Sequence, residues 1–190
     1  TNNRYHSISS YVGDAGYQDP LYGISKKKMK VKQIETNIQI DVGAPTPTIM
    51  SNEHEIYLTF YIHKQDPNWD GSTINVRNST DEGIATIKFT KYAQFKFGNP
   101  NDESISGHPL FNYGLQPYAI QEVEKSNWIE ELIEMNSVHP YHKDSLFEKY
   151  KHYIFYFHDN CFEIVCEKFE LMKDVMPSLK QEIQRISTFL

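Results

Sequence analysis

Apolar and polar residues alternate with a period of two along much of this chain. From Ile34 the alternation is clean: Ile34, Thr36, Ile38 and Ile40 on one side, Glu35, Asn37, Gln39 and Asp41 on the other. That is the pattern of a half-buried strand. Upstream, Lys26, Lys28, Lys30 and Lys32 alternate around Met29 and Val31, which predicts a charged edge strand that resists pairing with other chains. The apolar phase shifts from odd to even positions near residue 32, so a bulge or turn is expected there. Gly43-Ala44-Pro45-Thr46-Pro47 breaks the pattern before a second strand, Glu55–His63, with Ile56, Leu58, Phe60 and Ile62 on one face. Shorter strands are expected at Thr73–Arg77, Ile84–Phe89, Ala93–Phe97 and Tyr118–Val123.

The period changes in the second half. Asn127 followed by Glu130 reads as a capping box opening a helix through Met135, with Trp128, Ile129 and Leu132 inward and Glu130, Glu131 and Glu134 outward. A short helical turn is expected from Ser145, presenting Leu146, Phe147 and Tyr150. After Pro177, the spacing of Leu179, Ile183, Ile186 and Leu190 predicts an amphipathic C-terminal helix. Between strand and helix, residues 98–117 form a long polar loop, a length usually tied to function or mobility. Two aromatic strands flank Asp159-Asn160, which fits a two-residue hairpin turn. That register sets Phe157 opposite Phe162, Phe155 opposite Ile164 and Tyr153 opposite Cys166 on a core face. The other face then pairs His158 with Cys161, Tyr156 with Glu163 and His152 with Glu167. These elements predict a single α+β domain over residues 33–190, mostly antiparallel sheet in sandwich-like or strongly curved form with two or three helices. Residues 1–32 are read as an irregular N-terminal arm.

Composition agrees. The chain has 190 residues, 39% hydrophobic and 14% aromatic, with 13 Tyr and 11 Phe; that suits one domain with an ample core and a lean towards β structure. The net charge of −6 is concentrated late: residues 98–190 carry eight Lys or Arg against fifteen Asp or Glu. Such a half repels a phosphate backbone, so nucleic acid is not expected as a ligand. No secretory-type leader or membrane-spanning apolar run is read, and a cytoplasmic location is expected. Cys161 and Cys166, five residues apart in an extended stretch, would lie roughly 16 Å apart, beyond disulfide reach, and are expected as free thiols.

Chemistry-bearing residues gather in three patches: Gly107-His108-Pro109-Leu110, Asn136-Ser137-Val138-His139-Pro140-Tyr141-His142, and Phe157-His158-Asp159 with Phe162-Glu163. His108, His139, His158, Asp159 and Glu163 are the candidate catalytic residues, with imidazoles as acid–base groups near neutral pH and carboxylates as their orienting partners. His108, His139 and His158 are expected in one neighbourhood beneath the 98–117 loop. His139 and His142, three apart, are the candidate metal pair, although Pro140 and the absence of an HExxH pattern weigh against a helical site. No cofactor is otherwise implied. Asp66-Pro67-Asn68-Trp69-Asp70-Gly71 imitates half a calcium loop, but Arg77 stands where a bidentate Glu belongs. A catalytic Cys161 is disfavoured at a hairpin tip that lacks helix-dipole or oxyanion assistance.

These strings, together with Gly98-Asn99-Pro100-Asn101-Asp102-Glu103, Gly43-Ala44-Pro45 and Glu53-His54, resemble those of a family of small, uncharacterised bacterial proteins. The resemblance covers most of the chain after residue 35 and implies no particular activity, cofactor or partner. Two functional classes follow from the residues. The preferred one is a cytoplasmic binding or accessory protein acting through a partner protein or small ligand. The alternative is a hydrolase using His108, His139, His142, His158, Asp159 and Glu163, with or without a divalent metal. Convergence of three of those side chains on one concave pocket would favour the enzyme.

Overall fold

The structure, a computed structural model, describes residues 28–63 and 83–190. The arm as far as residue 27, the Thr73–Arg77 strand and the Asp66–Gly71 turn lie outside the described residues. Seven strands form one open antiparallel sheet in the order β1-β5-β6-β7-β4-β3-β2. They are β1 Lys30–Gln33, β2 Thr48–Ser51, β3 Glu55–Ile62, β4 Gly83–Gly98, β5 Ile120–Glu124, β6 Lys151–Tyr156 and β7 Cys161–Leu171. Two α-helices, α1 Asn127–Asn136 and α2 Leu179–Ile186, complete an α+β fold with three 3-10 turns, Asp102–Gly107, Phe111–Tyr113 and Asp144–Phe147. No helix among the described residues is long and apolar enough to cross a membrane.

Strand alternation gives the sheet two faces. One carries the aromatic core: Ile56, Leu58 and Phe60 of β3, Ile87 and Phe89 of β4, Phe155 of β6, and Phe162 and Ile164 of β7. Phe89 meets Phe155 edge-on at 5.5 Å, an arrangement that adds quadrupole attraction to burial. The other face lies under three separate covers. The 98–117 loop sets Leu110 and Leu115 on Val31, Val123, Ile154 and Tyr156; α1 sets Trp128 and Leu132 on Val165; α2 packs over β3. At α2 the buried Glu182 accepts from Thr86 Oγ1 (2.7 Å), the Met176 amide (3.0 Å) and Arg185 Nε (2.8 Å), so its charge is met from three sides.

Several sequence expectations change here. Ile34–Asp41 is not a strand; only Ile40 bridges, to Ile62. It runs from the β1 side, where the Ile34 amide bonds Ile120, to β3, where the His63 amide bonds Gln39. Its alternation serves to lay Ile34, Ile38 and Ile40 on the aromatic face. The two strands expected at Ile84–Phe89 and Ala93–Phe97 are one strand of 16 residues, β4. A bulge between Tyr92 and Gln94, beside Lys91 at φ 52°, shifts the phase so that Tyr92 and Phe95 both reach the core face. The charged edge strand is Lys30–Gln33, so the sheet takes in residues assigned to the arm. The β6–β7 turn centres on His158-Asp159, closed by the Phe157 amide on the Asn160 carbonyl (2.8 Å). Phe155 therefore faces Phe162, Tyr153 faces Ile164 and His152 faces Val165. Moving the turn by one residue slides partners by two, which preserves both faces and changes every pair. Ser126, not Asn127, is the N-cap of α1, and its side chain makes no capping bond.

A buried carboxylate between two imidazoles

Glu163 lies on the covered face of β7, at the seam between the 98–117 loop and α1. His152, diagonal to it on β6, brings Nε2 to 3.0 Å from Oε2. His108, ending the Asp102–Gly107 turn, brings Nε2 to 3.6 Å from Oε1, close but longer than a full hydrogen bond. Behind His152, Ser126 Oγ lies 2.8 Å from Nδ1. Ser126, His108, His152 and Glu163 are all buried. Trp128 closes the cluster on the helix side, edge-on to His152 at 5.0 Å and donating from Nε1 to Gln94 (2.8 Å).

Hydrogen-bond bookkeeping fixes the protons. Burial would raise the Glu163 carboxyl, but the His108 and His152 imidazoles outweigh it and hold it at about 2, so it is ionised and accepts only. His152 Nε2 must then carry hydrogen, and its Nδ1 shares a hydrogen bond with the Ser126 hydroxyl. His108 Nδ1 accepts from the Leu110 amide at 3.1 Å, a turn that Pro109 preorganises, so its proton also sits on Nε2, facing Glu163. Every buried side-chain nitrogen and oxygen among the described residues has a partner.

The same logic tests the cluster as a metal centre. His108 Nε2, Cys161 Sγ and a Glu163 oxygen lie within 4.8 Å of one another. Ligation through His108 Nε2 needs a lone pair there, and the Leu110 amide keeps that lone pair on Nδ1. Burial also pushes the Cys161 thiol up to about 12. As placed, the cluster turns no His108 Nε2 lone pair towards a cation. Both cysteines are free and buried.

The remaining candidates go elsewhere. His158, at the hairpin turn, belongs to a second cluster: its Nδ1 lies 3.0 Å from Asp102 Oδ2 and 2.9 Å from the Tyr118 hydroxyl, which itself donates to Asp102, and its ring stacks on Tyr118. The Asp102 carboxylate raises His158 above its ordinary range. Asp159 is exposed in the turn and borders an open cleft with Pro45, Thr46 and Phe97. His139 is exposed, its Nδ1 accepting from the Tyr141 amide (3.2 Å). His142, the other member of the candidate metal pair, has both nitrogens engaged, Nδ1 with Asn136 (2.9 Å) and Nε2 with Asp144 (2.8 Å), and so placed it braces the loop. Of the six candidate groups, His108 and Glu163 meet across the fold, and His158 Nε2 lies 4.0 Å from the adjacent Asp159.

Sequence reasoning missed His152, Ser126, Asp102 and Tyr118. The signal for His152 was present: it shares a strand face with Ile154 and Tyr156, and the register alone misdirected it to Glu167. Compared with known proteins, the chain matches no family model, no curated protein and no solved structure.

Proposed function

We propose that this protein works by binding another protein, as an accessory factor in the cytoplasm, and that the segment from Met135 to Leu146 is its docking surface. One observation carries the reading. Val138 is 89% exposed, Tyr141 81%, Met135 67% and Leu146 51%, four large apolar side chains within twelve residues. Exposed apolar residues are ordinary when scattered; clustered ones mark interaction sites. The segment is also braced. His142 ties Asn136 to Asp144, and amide bonds run from His139 to Asn136 and from His142 to His139. A preordered display loses less entropy on docking, and an exposed Tyr is a frequent anchor in interfaces.

A photo-crosslinking residue at position 141 tests this, with the exposed Glu170 as control position. The expected result is a protein captured at 141 and not at 170. That protein, once purified, should bind the Val138→Ser/Tyr141→Ser double variant at least about tenfold more weakly than the wild type. Equal capture at both positions, or equal affinity for both proteins, overturns the reading.

A hydrolase is the second reading, favoured by the Ser126–His152–Glu163 relay. There a hydroxyl meets one nitrogen of an imidazole whose other nitrogen donates to a carboxylate, the order of a serine triad. Attack needs an acyl carbon about 3 Å from Ser126 Oγ, and that oxygen lies in the interior. The relay is better explained as the link that seats α1 on the sheet. Fluorophosphonate should leave Ser126 unlabelled in the folded protein; an adduct that Ser126→Ala abolishes would move the assignment to hydrolase.

A further inference from the structure

We infer that the partner of this docking segment presents a cationic face, a protein surface rich in arginine and lysine; the inference rests on the docking reading above. Around the apolar residues stand Glu130, Glu131, Glu134, Asp144 and Glu148, against Lys143 and Lys149. Lys149 is already committed to Glu167 at 3.0 Å.

Elsewhere on the described surface five acidic groups are met by Lys or Arg, although Glu35, Glu53, Glu103 and Glu170 are not. Lys32 pairs with Glu124, Lys88 with Glu55, Lys91 with Glu167, Lys151 with Glu122 and Arg185 with Glu182. Glu130, Glu131, Glu134 and Glu148 have no such partner among the described residues, and all are exposed. The arrangement opposes the helix that carries it. Glu130 and Glu134 are four apart and Glu131 and Glu134 three apart on α1, so like charges repel along its face. The last turn of α1 has no basic residue to meet the negative end of its dipole, and the docking segment begins there. Negative potential that the fold itself leaves unrelieved is relieved by a cation from outside.

The same field selects among occupants. A second copy of the chain carries the same net charge of −6 and the same acidic rim, and would be repelled. Nucleic acid and anionic lipid are repelled for the same reason. The apolar residues favour a protein over a free metal ion, because Val138 and Tyr141 offer a cation no oxygen ligands beyond one phenol.

The test uses two synthetic amphipathic helical peptides of equal length, one setting Lys and Arg beside Leu at helical spacing, the other Glu beside Leu, titrated by fluorescence anisotropy against the whole protein. The cationic peptide should bind and the acidic one should not. Its affinity should fall at least about tenfold between roughly 50 mM and 300 mM salt, because exposed charge pairs are screened. Glu130→Lys/Glu131→Lys/Glu134→Lys should weaken it by a similar factor, whereas Glu53→Lys/Glu170→Lys should leave it within about twofold. Both charge variants alter exposed side chains, and unchanged thermal unfolding confirms that they fold. Binding lost in Val138→Ser/Tyr141→Ser but indifferent to charge reversal and salt overturns the cationic partner and leaves the docking surface standing. Binding sensitive to charge but indifferent to the Ser variants overturns both. Failure of the cationic peptide to bind, or equal binding of the two peptides, overturns the inference.

Discussion

Replacing Glu163 with Gln keeps the side chain's shape and removes its charge, and the structure sets the cost. The carboxylate accepts from His152 Nε2 at 3.0 Å and faces the His108 Nε2 proton at 3.6 Å. A carboxamide has one oxygen, so its NH2 must point at one of those two N–H groups. A charge-assisted bond worth about 1.5–3 kcal/mol becomes a neutral one worth about 0.5–1.5, and one buried donor loses its acceptor, at about 1–3 kcal/mol. The expected destabilisation at neutral pH is roughly 2–4 kcal/mol. The titration of Glu163 sets an independent scale. Its carboxyl is held at about 2 against an ordinary 4.5, which at about 1.4 kcal/mol per unit corresponds to at most roughly 3–4 kcal/mol. A carboxyl depressed in the folded state contributes its stability above its unfolded value, and loses that contribution as pH falls from about 4.5 towards 2. Urea titrations of both proteins should therefore differ at pH 7 in midpoint and little in slope, and converge as the pH approaches about 3. A loss under about 1 kcal/mol at neutral pH, or a gap that persists unchanged into acid, would refute the clamp.

Ser126→Ala should cost about 1–2 kcal/mol, since His152 Nδ1 loses its partner in the interior, while Asn127→Ala at the exposed first helical position should stay within about 0.5 kcal/mol; denaturant titration compares them directly. Phe155→Ala should cost about 3–5 kcal/mol through the cavity it leaves among Phe89, Phe162 and Phe169, and a value near 1 would show that this core collapses around the gap. Asp102→Asn should lower the His158 titration midpoint, read from its imidazole proton resonances; because that midpoint is raised in the folded protein, the link favours folding below it and fades as pH rises through it. An unchanged midpoint would mean that Asp102 does not hold the ring.

Burial faces were legible wherever a strand alternates, because the side-chain period in a strand is independent of the partner. Phe155 and Phe162 share the core face as the pattern requires. Pairing was less legible, since a turn at Asp159-Asn160 and one at His158-Asp159 bury the same residues. That one-residue ambiguity is why His152 was set beside Glu167, and why Tyr156 was set opposite the carboxylate that His152 in fact bonds. Alternation also did not reveal whether Ile34–Asp41 pairs or merely lies across the sheet, because both need one apolar side. The capping box at Asn127 failed for a tertiary reason: Ser126 takes the cap position while its hydroxyl is committed to His152, a partner 26 residues away. His108 and Glu163 were singled out by residue type and do meet. His139, His142 and His158 satisfy local needs that residue type alone does not distinguish from a shared site.

Glu163 stands under the line where two covers abut, and that position has a consequence for how the molecule opens. The 98–117 loop reaches it through His108, and α1 through Ser126 and His152. Lifting the loop strips His108 from that ionised group, and lifting α1 strips Ser126 from the imidazole that bonds it. The two are thus thermodynamically one unit, although they are separate in sequence and rest on different apolar patches. Fluctuations that would fray a loop alone carry the penalty of exposing a helix as well, which confines low-energy motion to parts of the surface away from this seam.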